Sequence, residues 1–193
     1  MKIETEIKIV LENIDIEELT TTIEVTFDLK RSPSFHQITH QFFYEDYTTQ
    51  NAFPRIRNEE DGRNTLTVKA KLKDDGQKES DYFKRIELET DISNVKSVVT
   101  MMPFFGYPKK VSWEKKRVNF SSNKNEKLDF AISLDETPMG YFLEIESDEE
   151  KIEEIIKKLE LSHLERTNKA YLGLWTDFSK KNNTVREDMM FEG

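Results

Sequence analysis

The segment Lys2-Ile3-Glu4-Thr5-Glu6-Ile7-Lys8-Ile9-Val10 decides how the rest of the chain reads. In an extended strand, residues two apart point to the same side. One face of this segment therefore carries Glu4, Glu6 and Lys8, and the other carries Ile3, Ile7 and Ile9. Working outward, the division recurs at Arg55 and Arg57, at Lys69 and Lys71, at Arg85, Glu87 and Glu89, at Lys115 and Arg117, and at Glu144 and Glu146. The faces opposite are apolar: Leu66, Val68, Ala70 and Leu72; Ile86 and Leu88; Leu143 and Ile145.

Strand-like alternation covers about 2–10, 38–46, 53–59, 64–73, 82–91, 111–120, 127–135 and 141–147. Asp61-Gly62 and Asp75-Gly76 are hairpin dipeptides, and Pro138-Met139-Gly140 breaks another pair of runs. Helical spacing is found over 14–28 through Ile16, Leu19, Ile23 and Phe27. Ser93 is expected to cap a helix over 94–102, and Ser147 with Glu150 forms a capping box for one over 148–160. A short helix is expected over 167–175.

A charged strand face is either the solvated side of an antiparallel sheet or the interior of a closed barrel. Solvated faces mix Thr, Ser and Gln with their charges. These positions are narrowly acidic or basic, and Arg, the better bidentate donor to phosphate oxygens, recurs. The basic set would suit a polyanion. The acidic set, with Asp135, would suit a hard divalent cation such as Mg²⁺ or Mn²⁺.

Composition narrows the classes. With 193 residues the chain is one domain or two small ones, large enough to fold without a staple. There is no Cys, which excludes disulfides, thiolate zinc sites and cysteine nucleophiles. A formal charge of -9 argues against a general nucleic-acid surface. No apolar run reaches transmembrane length and no apolar leader opens the chain, so a cytoplasmic, membrane-free protein is expected.

The order of these motifs resembles the CYTH superfamily, the triphosphate tunnel metalloenzymes. That family includes class IV adenylyl cyclases, thiamine triphosphatases and inorganic triphosphatases. Glu4-Thr5-Glu6-Ile7-Lys8 matches its ExExK signature. Arg55-Ile56-Arg57, Leu66-Thr67-Val68-Lys69, Arg85-Ile86-Glu87 and Lys115-Lys116-Arg117 follow in the family's order. Asp135, Gly140 and Glu144-Ile145-Glu146 resemble its closing acidic segment, and Ala170-Tyr171 to Leu174 its ending. The resemblance implies an α+β fold, a closed eight-stranded antiparallel β-barrel with flanking helices, spanning residues 1–175 as a single domain. Residues 176–193 are then a tail, flexible or docked, with Met189, Met190 and Phe191 available to dock.

By motif position, Glu4, Glu6, Glu144 and Glu146, with Asp135, would hold the metal. Lys8, Arg55, Arg57, Lys69 and Arg117 would bind phosphate, joined less firmly by Lys71, Lys115 and Arg85. Lys69 and Glu87 would be the catalytic pair, with Glu87 orienting an arginine or a second metal. Three departures stand out. Residues 14–28 hold no Tyr, Lys69-Ala70-Lys71 replaces a Lys-Gly-Pro, and the His-Phe lead-in of the cyclases is absent. The resemblance therefore implies metal-dependent hydrolysis of inorganic or thiamine triphosphate by a monomer or homodimer. Adenylyl cyclase and a non-catalytic polyphosphate-binding module are the alternatives.

Other features are expected to be structural. His36 and His40 lack further ligands for zinc. Trp113, Trp175, Tyr44 and Tyr47 are expected in packing before base stacking. Asp148-Glu149-Glu150 is favourable charge at a helix N-terminus. Lys109-Lys110 and Lys115-Lys116-Arg117 carry no nucleic-acid motif.

Overall fold

Alternation in the first strand, β1 (Lys2–Val10), buries Ile7 and Ile9 on one side and Glu6 and Lys8 on the other. Such a strand is stable only if both faces are covered, and the computed structural model shows how that is done. It describes residues 2–46, 52–71, 83–184 and 187–192, with side chains described for 5–46, 52–70, 86–184 and 187–192. The Asp75-Gly76 turn and Tyr47 lie outside the described residues, as do the side chains of Glu4, Lys71 and Arg85.

The elements run β1, α1 (Ile16–Phe27), β2 (Leu29–Arg31), β3 (Phe35–Phe43), β4 (Ala52–Glu59), β5 (Asn64–Lys71), β6 (Phe83–Asp91) and α2 (Val95–Met101). A 3-10 turn (Met102–Phe105) follows, then β7 (Lys109–Ser122), β8 (Ala131–Thr137), β9 (Gly140–Glu146), α3 (Glu149–Lys158), β10 (Arg166–Thr167) and α4 (Tyr171–Lys181). Every pairing of these strands is antiparallel.

The expected closed eight-stranded barrel is replaced by a ten-stranded antiparallel sheet with flanking helices. Its order is β10-β1-β6-β5-β4-β3-β7-β8-β9, with β2 attached to β7 off this path and an additional pairing between β1 and β9. Two strands escaped the sequence reading because three residues, Leu29–Arg31, and two residues, Arg166–Thr167, are too short to show alternation. Strand β1 divides its length: Lys2–Glu6 pairs with β6, Glu6–Val10 with β9, and Lys8–Ile9 also with β10.

The apolar face of β1, β8 and β9 packs under α1 and α3. Ile9, Leu143, Ile145, Ile23, Ile152, Ile155 and Ile156 are each 0% exposed in one cluster. Each such side chain contributes about 1.5–3 kcal/mol relative to exposure. A second cluster joins Trp113, Phe142, Tyr171, Trp175 and Met189, and a third sets Phe42, Ile56 and Met102 against α2. Among the described residues no helix is long and apolar enough to cross a membrane.

Helix caps shift by one residue from expectation. Asp148, not Ser147, accepts the Lys151 backbone N–H at the start of α3, while the Ser147 hydroxyl donates to the Asp129 carbonyl. Asn94, not Ser93, accepts from Ser97 N–H to cap α2. In both cases the longer Asx side chain, one residue on, reaches the orphan donor. The 167–175 helix begins at Tyr171 and runs to Lys181. At the β4–β5 turn Gly62 adopts φ 91°, a left-handed conformation that favours glycine.

Candidate active site

The charged strand faces meet around a cavity of about 890 Å³. That volume lies within the range of small-molecule sites. Glu6 and Lys8 of β1, Arg55 and Arg57 of β4, Lys69 of β5, Glu87 of β6, Lys115 and Arg117 of β7, and Glu144 and Glu146 of β9 all line it. The spacing rule thus brings the sequence-selected set together. Backbone parity puts Glu4, Lys71 and Arg85 in the same face pattern, with Glu4 opposite Arg85 and Lys71 opposite Arg85 in register.

Register explains the acidic group. Glu6 lies directly across from Glu146, and Lys8 from Glu144. Like charges directly opposite are destabilising unless a cation intervenes. Glu6, Glu144 and Glu146 each offer a carboxylate oxygen, and these lie within 4.8 Å of one another. Oxygen donors so grouped suit a hard divalent cation. Asp135, expected in this set, is held elsewhere. It is 0% exposed and faces Arg117 across the β7–β8 ladder.

The wall formed by β7, β8 and β9 is densely paired. Arg117 grips Asp135 with two parallel bonds, Nε to Oδ1 at 2.6 Å and a terminal nitrogen to Oδ2 at 2.7 Å, and reaches Glu144 Oε1 at 2.8 Å. Lys115 Nζ donates to Asp135 Oδ2 at 2.8 Å. Lys8 donates to Glu6 and lies 3.6 Å from Glu144. Burial opposes the charge of Glu144, but Arg117, Lys8 and Lys115 outweigh it and hold the carboxyl well below the usual range. Burial likewise opposes the charge of Lys8, and Glu6 and Glu144 hold its ammonium above the ordinary lysine value. Lys115 goes the other way: burial, then neighbouring Arg117, pushes it down to about 8.

The β4–β5 wall is differently made. Arg55 donates to Glu87 Oε1 at 2.9 Å, and Lys69 lies 3.4 Å from Glu87 and 3.9 Å from Glu6. Arg57 has its nearest described carboxylate oxygen, on Glu59, at 4.0 Å. The Nε atoms of Arg55 and Arg57 are buried with no hydrogen-bond partner among the described residues. Burial, then Arg55 and Arg117, pushes the Arg57 guanidinium down to about 10.

Tyr171 was quoted in the sequence only as part of a closing motif. Here it is 7% exposed, lines the cavity, and donates its hydroxyl to Asp135 Oδ2 at 2.6 Å. Burial, then Asp135 and Glu144, raises its phenol well above the usual range, so the hydroxyl keeps its proton. An aromatic residue opening a helix carries no spacing signal that would have identified it. Arg63, at the β4–β5 turn, also lines the cavity and donates to Glu89 at 3.0 Å.

The remaining features take structural places. His36 Nε2 contacts Glu114 at 2.8 Å and His40 Nδ1 contacts Ser112 Oγ at 2.9 Å. Trp113 and Trp175 are buried in the second apolar cluster, and Tyr44 stacks on Tyr107 at a centroid distance of 4.8 Å. The C-terminal segment clips onto β7: Met189 N–H donates to the Ser112 carbonyl at 3.0 Å and Glu114 N–H to the Met189 carbonyl at 2.9 Å.

No family model matches the sequence, and no curated protein does. Solved structures do match. A conserved hypothetical protein from Pyrococcus furiosus is 24% identical, with a TM-score of 0.65, over 89% of this chain and 99% of that one. A candidate adenylate cyclase from Vibrio parahaemolyticus is 18% identical, with a TM-score of 0.67, over 91% and 98%. A candidate adenylyl cyclase from Hippeastrum, described as having a dominant triphosphatase activity, is 15% identical, with a TM-score of 0.60, over 92% and 96%. At these identities the likeness is one of fold.

Proposed function

We propose that this chain, which has the fold of the CYTH superfamily, is a divalent-metal-dependent enzyme that hydrolyses a triphosphate-bearing small molecule. The observation that carries this reading is one cavity holding both a three-carboxylate group and a wall of buried cations. Glu6 and Glu146 are opposed in register, and Glu144 joins them within 4.8 Å. Arg57 faces the cavity with a buried Nε that has no partner among the described residues. The first arrangement calls for a cation and the second for an anion. A polyphosphate chelating a divalent cation supplies both.

Glu6, Glu144 and Glu146 would hold Mg²⁺ or Mn²⁺, with Glu4 a further candidate from its place in β1. Once bound, the ion supplies neutralisation of developing phosphate charge. The chain's own residues do the rest. Arg55 and Arg57 bind phosphate oxygens through planar guanidinium donors. Lys69 binds the terminal phosphoryl group, and Glu87, which contacts both Arg55 and Lys69, holds those two donors in place. Arg117, Lys115 and Lys8 complete the cationic lining from the opposite wall. Burial of Lys8, Lys115 and Arg117 strengthens their contacts with an anion relative to the same contacts in water.

A second reading is cyclisation of ATP with release of pyrophosphate, favoured by the description of the Vibrio protein as a candidate adenylate cyclase. Turnover of inorganic triphosphate, thiamine triphosphate and ATP with Mg²⁺ and Mn²⁺ separates the readings. Hydrolysis yields orthophosphate, and cyclisation yields cyclic AMP. Absence of turnover on all three would leave a polyphosphate-binding module.

A further inference from the structure

Asp135 is an unusual anchor. Its Oδ2 accepts three donors, from Lys115 at 2.8 Å, Arg117 at 2.7 Å and the Tyr171 hydroxyl at 2.6 Å, while Oδ1 accepts the second Arg117 bond. The carboxylate is wholly buried and its four bonds leave it little freedom to rotate. Tyr171 is the only one of the three donors without charge, and the only one carried by a helix. Two cavity ammoniums also lie over its ring, Lys8 Nζ at 5.3 Å and Lys115 Nζ at 5.0 Å from the centroid. The negative face of an aromatic ring attracts such cations. The ring is itself fixed from behind, packed edge-on to Phe142 at 5.5 Å and clustered with Trp175 and Met189.

We propose that Tyr171 is a positioning residue: by anchoring Asp135 it aims Arg117 and Lys115 at the bound phosphates. The inference rests on the triphosphate reading above. A hydroxyl bonded to a buried carboxylate fixes the carboxylate plane. A bidentate arginine follows that plane, because its two bonds are coplanar with the two oxygens. Helix α4 thereby sets the direction of two cavity cations to which it is not covalently adjacent. The ring contributes separately, by holding Lys8 and Lys115 near one another despite their like charge.

Tyr171→Phe keeps the ring and its packing and removes the hydroxyl alone. Inorganic triphosphate binding to the metal-free protein, read by titration calorimetry, is expected to weaken about tenfold, equivalent to about 1.4 kcal/mol. Asp135→Asn should weaken it at least as much, and Tyr171→Phe combined with Asp135→Asn no further than Asp135→Asn alone, because both act through one carboxylate. Tyr171→Leu, which also loses the ring, should bind more weakly than Tyr171→Phe. Circular dichroism establishes that each variant is folded at the titration temperature, so that affinities of native states are compared; a lower melting point is expected wherever buried Asp135 loses a donor, and it does not by itself move the affinity. Wild-type affinity in Tyr171→Phe, or strictly additive losses in the double variant, would overturn the inference alone. If wild-type protein binds no triphosphate with or without Mg²⁺, the functional reading and the inference fall together.

Discussion

Arg117 and Arg57 line the same cavity from different strands and stand in opposite states. On the β7–β8–β9 side, Arg117 makes three hydrogen bonds to carboxylates and Lys115 shares one of the same acceptors. On the β4–β5 side, Arg57 comes no closer than 4.0 Å to a described carboxylate oxygen and leaves its buried Nε unsatisfied among the described residues. A buried cation with fixed partners is held in one direction before any ligand arrives. A buried cation without them is costly to the protein as it stands and favours an incoming anion. The difference teaches that identical charge patterning along two strands can give a cation held in advance by carboxylates in one and a cation without such partners in the other, according to what lies across the ladder.

The largest expected effect concerns the carboxylate group of Glu6, Glu144 and Glu146. Glu6→Gln keeps size and removes one charge from the metal group. Activity with Mg²⁺ should fall about a thousandfold, since metal-mediated charge stabilisation is worth several kcal/mol. Thermal stability of the metal-free protein should change far less than activity, because relief of carboxylate crowding offsets the weakened pairing with Lys8. Full activity in this variant would remove the metal assignment.

Next in size is the β7–β8–β9 wall. Arg117→Ala strands Asp135 and Glu144 as buried charges and should cost about 3–5 kcal/mol of stability, visible as a lower denaturant midpoint. Arg57→Ala sharpens the contrast from the other side. It should leave the midpoint nearly unchanged yet weaken every triphosphate by about 2 kcal/mol, the scale of a charge-assisted hydrogen bond. Equal destabilisation by the two substitutions would erase the distinction between the walls.

The smallest effect is one of pH. Burial and Arg117 lower Lys115 to about 8 in the fold, below its unfolded value near 10.4. Between about pH 8 and 10 the unfolded chain therefore binds more protons, and this group makes stability rise with pH. Phosphate binding should move oppositely, weakening a few-fold as the ammonium is lost. Stability and affinity tracking together across that window would mean that Lys115 does not titrate there.

Much of this was legible from alternation alone. Spacing of two placed Glu6, Lys8, Arg55, Arg57, Lys69, Glu87, Lys115, Arg117, Glu144 and Glu146 on inner faces, and all line one cavity. Cross-strand register was not legible. Motif position offers Asp135 as a metal ligand, and only the register shows it opposite Arg117, with Arg117, Lys115 and Tyr171 on its oxygens. The sheet's extra strands were too short for a periodic signal, and caps were misplaced by one residue because adjacent Ser and Asx side chains compete for the same donors. Tyr171 was in plain sight, but its hydroxyl acts across the fold on a residue 36 positions away.

The second apolar cluster has a practical consequence. The chain contains 2 Trp, and both Trp113 and Trp175 belong to that cluster, with Trp113 itself lining the cavity. Trp175 stacks on Phe178 at 5.6 Å, and Met189 closes the group at 0% exposure. All indole emission of the molecule thus originates in one buried cluster, which touches the cavity through Trp113. Ligand entry beside Trp113 should change that emission without any attached dye, giving a continuous optical signal for binding in the unmodified protein.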